Sequence, residues 1–249
     1  MELSELTWSD VRDLETDLAL LPVGSTEQHG PHAPLGTDAF HAESVATAGA
    51  DRFEAEHEQP VVVAPTIPVG IAEEHRSFDG TLWVSPDTFR SYVRDTARSL
   101  AFHGFDRIVI VNGHGGNVPA LGETAATISR HDDAYAVAFT WFNAVGEHAD
   151  RMGHGGPIET ALLRHTHPDI VREDRTDEAA SDGSDHWGEW VSGVNLAHDS
   201  SEFTAAGTVG DPREGDAALG EELLSIAADS LVELLSAVRD RSVSRSEKP

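Results

Sequence analysis

Val109-Ile110-Val111-Asn112-Gly113-His114-Gly115-Gly116-Asn117 is the stretch that decides the fold. The β-branched run that begins at Arg107 has the composition of a strand buried on both faces. It breaks directly into a loop in which glycines surround a histidine, and those glycines let backbone N–H groups approach a ligand closely. A buried strand with such a loop at its end is the signature of a parallel sheet, which binds ligands at the carboxyl ends of its strands.

Outward from this stretch, short apolar runs alternate with amphipathic ones. Leu18–Val23 and residues 61–64 and 134–140 read as further strands. Helices are expected over about residues 38–56, 86–103, 118–130, 157–165 and 215–238. Pro86 stands in a first helical turn, where proline is tolerated, and Gly104 closes that helix. The alternation predicts an α/β fold, a three-layer sandwich with a mostly parallel central sheet covered by helices on both faces. It reads as a single domain over residues 1–249, with a frayed tail over 242–249. The acidic stretch 169–208, with Trp187 and Trp190, is expected to be an excursion over the sheet end.

Composition narrows the chemistry. There is no cysteine, so disulfides, thiolate metal sites and cysteine nucleophiles are excluded, and any metal must sit on His, Asp and Glu. Asp and Glu number 44 against 17 Lys and Arg, a formal net charge of −27, and the lysine is Lys248. Such a surface repels phosphate backbones and anionic lipid, so neither nucleic acid nor membrane is expected as a partner. No stretch approaches the roughly 18 apolar residues of a membrane span. Met1–Asp10 carries acids and no basic run, which argues against a secretory signal and for the cytoplasm. An acid-rich, lysine-poor surface also suits a halophile, where molar salt shortens the Debye length to about 3 Å.

Three segments carry the chemistry. In Gly24-Ser25-Thr26-Glu27-Gln28-His29-Gly30-Pro31-His32, Glu27 and His29 are two apart and project to one side of an extended chain. The Gly- and Pro-rich loop that follows delivers Asp38 to a helix start, and a capping role for Asp38 does not explain the clustered His, Gly and Pro. The second segment puts His114 at the sheet's carboxyl end, and its glycines do not complete a dinucleotide-binding G-x-G-x-x-G. In the third, His154-Gly155-Gly156-Pro157-Ile158-Glu159-Thr160, Pro157 sets a helix start. Glu159 then falls in the first turn, where the helix dipole favours an ionised carboxylate, whether for a metal or for a cap. His32 and His75 sit in loops that border the expected cleft, while His57, His103, His131, His165 and His167, at helix ends or in helical stretches, read as solvated.

Taken together and in this order, over about residues 18–165, the three segments resemble the creatininase family. The resemblance implies an α/β sandwich, two divalent metal ions per chain (Zn, Mn or Fe), a small-molecule substrate and commonly a hexamer. By the same resemblance Asp38 bridges the two ions, Glu27 and His114 hold one, His29 holds the other, and His154 transfers a proton. Creatininase itself carries a further ligating glutamate two residues beyond the loop histidine. Gly116 stands there in this chain, and Glu159 is the best replacement. That departure separates the chain from the creatinine-hydrolysing pattern and leaves the metal centre intact.

The implied reaction is hydrolysis of a non-peptide or cyclic C–N bond, an amide or formamide, by metal-activated hydroxide. Gly115, Gly116 and Asn117 are expected at the substrate, the glycine amides facing the oxyanion, and His154 gives a proton to the leaving nitrogen. Loops of the Asn-Gly-His-Gly-Gly-Asn type occur in two other branches of the family. One is a deformylase of a formylaminopyrimidine ribotide in flavin and deazaflavin biosynthesis, and the other a peptidase that trims the mycofactocin precursor. Creatinine or lactam hydrolysis is a further alternative, and so is a metal-binding module without turnover. The incomplete glycine pattern speaks against a nicotinamide-dependent oxidoreductase.

Overall fold

The computed structural model describes residues 1–242, so the tail expected over 242–249 lies, except for Ser242, outside the described residues. In chain order the elements are α1 (Trp8–Arg12), β1 (Leu18–Val23), α2 (Thr37–His57), β2 (Val62–Val63), α3 (Pro86–Phe102), β3 (Arg107–Asn112) and α4 (Val118–His131). There follow β4 (Tyr135–Thr140), α5 (Pro157–Thr166), α6 (Thr176–Ser181), a small hairpin of β5 (Trp190–Val191) and β6 (Val194–Asn195), and α7 (Ala217–Asp240).

β1 to β4 form one parallel sheet in the order β2-β1-β3-β4. Alternate residues of each strand face opposite sides. Leu18, Leu20, Val109 and Val111 pack with Val45 and Phe53 of α2, Ile158 and Leu162 of α5, and Leu223, Leu231 and Leu235 of α7. Ala19, Leu21, Val23, Ile108 and Ile110 pack on the other side, with Phe89, Val93 and Ala97 of α3 and Leu121 and Ile128 of α4. Each large side chain fully buried in these two layers stabilises the fold by about 1.5–3 kcal/mol. The three-layer α/β sandwich is as the apolar runs predict.

The register places the site. Val23 pairs with Asn112, and Asn112 with Thr140, so β1, β3 and β4 end at one level. The loops that leave these ends, carrying Glu27, His114 and ultimately His154, therefore emerge together at the carboxyl edge of the sheet.

Boundaries read from the sequence hold to within a couple of residues, the larger offsets falling at the ends of α7. What the sequence reading passed over is short. α1 is closed by a capping box between Thr7 and Asp10, and α6 lies in the acidic 169–208 stretch. Neither is long enough to show helical periodicity. Among the described residues no helix is long and apolar enough to cross a membrane.

Candidate metal centre

The loop after β1 is held taut by main-chain bonds: Gly24 N–H to Ile67 O, Glu27 N–H to Leu35 O, and a bridge between His29 and Ala33. It brings Glu27 and His29, both fully buried, over the sheet end. Asp38 lies in the first turn of α2. Its carboxylate turns away from the helix terminus toward two imidazoles, 3.0 Å from His29 Nε2 and 3.2 Å from His114 Nδ1. His114 Nδ1 is also 3.1 Å from Glu27 Oε1.

Hydrogen bonds fix which ring nitrogen each histidine presents. His29 Nδ1 donates to Glu27 O at 3.2 Å, and His114 Nε2 donates to Ile71 O at 2.6 Å. The opposite nitrogens face the carboxylates, and on losing their protons they would offer lone pairs to the same space, which is how metal-ligating histidines are oriented. The β3 loop is braced by Asn112, whose Oδ1 accepts from His114 N–H and whose Nδ2 donates to His114 O. Glu159, in the first turn of α5, accepts from Gly155 N–H at 2.6 Å through Oε2 and leaves Oε1 at 3.7 Å from His29 Nε2. His154 is tied to Val209 by two main-chain bonds and to Gln28 O by Nε2–H at 2.6 Å.

Both oxygens of Glu27, Oδ2 of Asp38 and Nε2 of His29 are buried without a properly aligned hydrogen-bond partner. Ligand atoms of these three residues converge on shared space. Buried carboxylates in that condition are costly unless a cation compensates them, and the donors, imidazole and carboxylate, suit Zn, Mn or Fe. Ligand atoms of Glu27, His29 and Asp38 lie within 4.8 Å of one another, as do those of His29, His154 and Glu159, and those of Glu27, His75 and His154. The residues present therefore fit a divalent metal centre.

The electrostatics agree. Burial opposes charge on His29, yet Asp38 and Glu159 outweigh it and hold the pKa well above the usual imidazole value. His114 is raised in the same way, by Glu27 and Asp38 against burial. Burial pushes the Asp38 carboxyl upward, but His29 and His114 prevail and keep it ionised. Glu159 is likewise lowered, burial being overcome by His29.

A cavity of about 620 Å³ opens over these groups, bounded by Asp38, His114, Gly115, Gly116, His154 and Glu159. Asn117, expected at the substrate, is used otherwise. Its amide donates to Gly24 O and accepts from Ile71 N–H, tying the β1 end to the loop ahead of α3.

Four further residues belong to this neighbourhood. His75 stacks on His154 at 4.3 Å between ring centroids, and His154 lies 4.3 Å from His29. Trp187, from the 169–208 stretch, stands edge-on to both His75 and His154 at the cavity wall. Glu74 also lines the cavity, with Oε1 3.1 Å from where a Cβ on Gly116 would lie. Burial raises the Glu74 pKa. His41, one turn beyond Asp38 on α2, is fully buried with neither ring nitrogen partnered, and burial pushes its pKa down to about 4. The i, i+3 spacing of Asp38 and His41 was the sequence signal for His41. Trp187 lies in the 169–208 stretch expected over the sheet end, and the structure puts it at the cavity wall.

The fold and site together define an α/β sandwich whose parallel sheet carries, at its carboxyl edge, a carboxylate–imidazole centre able to hold divalent metal. The sequence matches the profile of Creatininase (creatinine amidohydrolase) over residues 4–235. It is 36% identical over 208 residues to the mycofactocin precursor peptide peptidase of Mycolicibacterium smegmatis, covering 84% of this chain and 80% of that one. To the creatinine amidohydrolase of Pseudomonas putida it is 30% identical over 199 residues, covering 70% and 74%. The solved structure of creatinine amidohydrolase (creatininase) superposes with a TM-score of 0.81 at 24% identity, covering 97% of this chain and 98% of that one. A manganese creatininase and a mutant creatininase of Zn-Zn type superpose with TM-scores of 0.76 and 0.78, both at 24% identity and covering 95% of this chain and 97% of theirs. The chain belongs to the creatininase family, as its three motifs imply, and the named relatives are hydrolases.

Proposed function

We propose that the protein is a metal-dependent hydrolase of a C–N amide bond, and that its substrate presents an open, peptide-like amide. The observation that carries the reaction class is the convergence of Glu27, His29 and Asp38 atoms, buried and unsatisfied, at the floor of a cavity. An open amide is favoured over a cyclic one by the higher identity to the peptide peptidase than to the creatinine amidohydrolase. Gly116 in place of creatininase's glutamate points the same way, and the cavity is large enough for several residues of peptide.

In this reading Asp38, Glu27, His114, His29 and Glu159 would hold the divalent metal, Asp38 being shared, Glu27 and His114 serving one side of the centre and His29 with Glu159 the other. When bound, divalent metal supplies Lewis acidity that polarises a carbonyl and brings the pKa of water toward neutrality. The chain's own groups do the rest. Gly115 and Gly116 bring main chain to the cavity wall and present N–H groups toward the carbonyl oxygen. His154 holds its Nε2 proton on Gln28 O, so its Nδ1 faces the cavity and can take up a proton and return it to the leaving nitrogen.

The test is a product analysis by mass spectrometry on metal-loaded protein purified in high salt, offered short peptides, creatinine and a formylaminopyrimidine. Peptide cleavage that is lost in His154→Ala at full metal occupancy is the expected result. Turnover of creatinine or the formamide alone would overturn the substrate assignment. Full metal occupancy with no hydrolysis at all would make the protein a metal-binding module.

A further inference from the structure

His75 has no part in the mechanism above, yet it is 1% exposed and lines the cavity with its ring against that of His154. Its tautomer is set by Gln28. Gln28 Oε1 accepts from Gly30 N–H at 2.9 Å, and Nε2 donates to Gly207 O at 2.9 Å. Pinned at both ends, the amide cannot turn over. Its second Nε2 hydrogen is therefore directed at His75 Nδ1, 2.8 Å away. Ser200 Oγ lies 3.0 Å from the same nitrogen but directs its hydrogen to Glu74 O, 3.1 Å away. A ring nitrogen that accepts from an amide carries no proton, so the neutral ring bears its hydrogen on Nε2. Nε2–H then points into the site, 3.4 Å from Glu27 Oε1.

We propose that His75 is a further catalytic residue, a neutral imidazole whose Nε2–H donates a hydrogen bond to the oxygen that gains charge as the amide carbonyl is attacked, with Gln28 as the positioning residue that locks the tautomer. Neutral imidazole serves as such an electrophile where its surroundings forbid the charged form. The proposal rests on the amide-hydrolase reading. It also assigns Nε2 of His75 a role other than metal ligation, although it lies within ligand distance of Glu27 and His154 atoms. A protonated nitrogen has no lone pair to offer a cation.

Two measurements test it on the metal-loaded full chain. Nitrogen-15 NMR of the histidine rings reads the tautomer without turnover, and the expected state of His75 is protonated Nε2 with bare Nδ1. In kinetics with a cleaved peptide, His75→Phe should lower kcat by about 10²–10³-fold with KM and metal content unchanged, the loss typical of one oxyanion donor. His75→Gln, whose amide N–H can reach the Nε2 position, should recover about tenfold or more of that loss. A protonated Nδ1, an unchanged kcat in His75→Phe, or metal lost from that variant would each overturn the role. A protonated Nε2 in a protein that hydrolyses no amide would overturn the function itself, and the role of His75 with it.

Discussion

A Cβ on Gly113 would stand 2.9 Å from the carbonyl carbon of Asp38 and collide with its oxygen. Gly24 meets the same carbonyl from the end of β1. The ends of two adjacent strands thus press against the first turn of α2, and that contact puts the Asp38 carboxylate between His29 and His114. Glycine at 113 is a condition of the metal centre, since any side chain would push α2 off the sheet. Gly113→Ala is therefore expected to destabilise the fold by about 1–3 kcal/mol through overpacking. It should also weaken metal binding more than that loss alone explains. Denaturant titration with parallel metal analysis checks both, and an alanine variant as stable and as well loaded as wild type would contradict the packing argument.

Metal uptake should release protons. Without metal, Asp38, Glu159 and Glu27 keep His29 and His114 protonated well above the usual imidazole pKa. A cation must displace those protons, so affinity should rise with pH from about 6.5 up through the raised pKa values. Calorimetric titration with Mn or Zn in buffers of different ionisation enthalpy reads the number released. A pH-independent affinity across that window would mean that the two imidazoles are not ligands.

A second pH effect belongs to the fold and not to the site. Arg94 grips Asp132 through two bonds of 2.7 and 2.9 Å, joining α3 to the end of α4, and this holds the Asp132 carboxyl below its usual range. A lowered folded pKa means that the contribution is complete above the unfolded value of about 3.9 and is lost as pH falls through the folded one. Wild type should accordingly exceed Arg94→Gln in stability by a constant margin at neutral pH, and the margin should close below about pH 4. Urea titrations across pH 2 to 7 test this, and a margin that widened on acidification would reverse the sign.

The sheet and its helices were legible because each strand is a short apolar run and, α2 apart, each long helix carries a cap or proline at a readable position. Glu27, His29, Asp38, His114, His154 and Glu159 were legible because glycine and proline mark the loops that hold them. The structure gathers all six at one place. Asn117, expected at the substrate, is hydrogen-bonded within the fold. Sequence could not show that its amide is spent on Gly24 and Ile71. His75 was expected to border the cleft and Trp187 to lie in the excursion over the sheet end, but the contacts that fix them join segments far apart in the chain. The bond from Gln28 to His75 spans 47 residues, and nothing local to either announces it.

Metal analysis by mass spectrometry on protein purified in high salt, wild type beside Asp38→Ala, tests the centre most directly. The account predicts about two divalent ions per chain in wild type and a sharp fall in the variant, with circular dichroism unchanged. A wild type that takes up no divalent metal, or occupancy indifferent to Asp38, would contradict it.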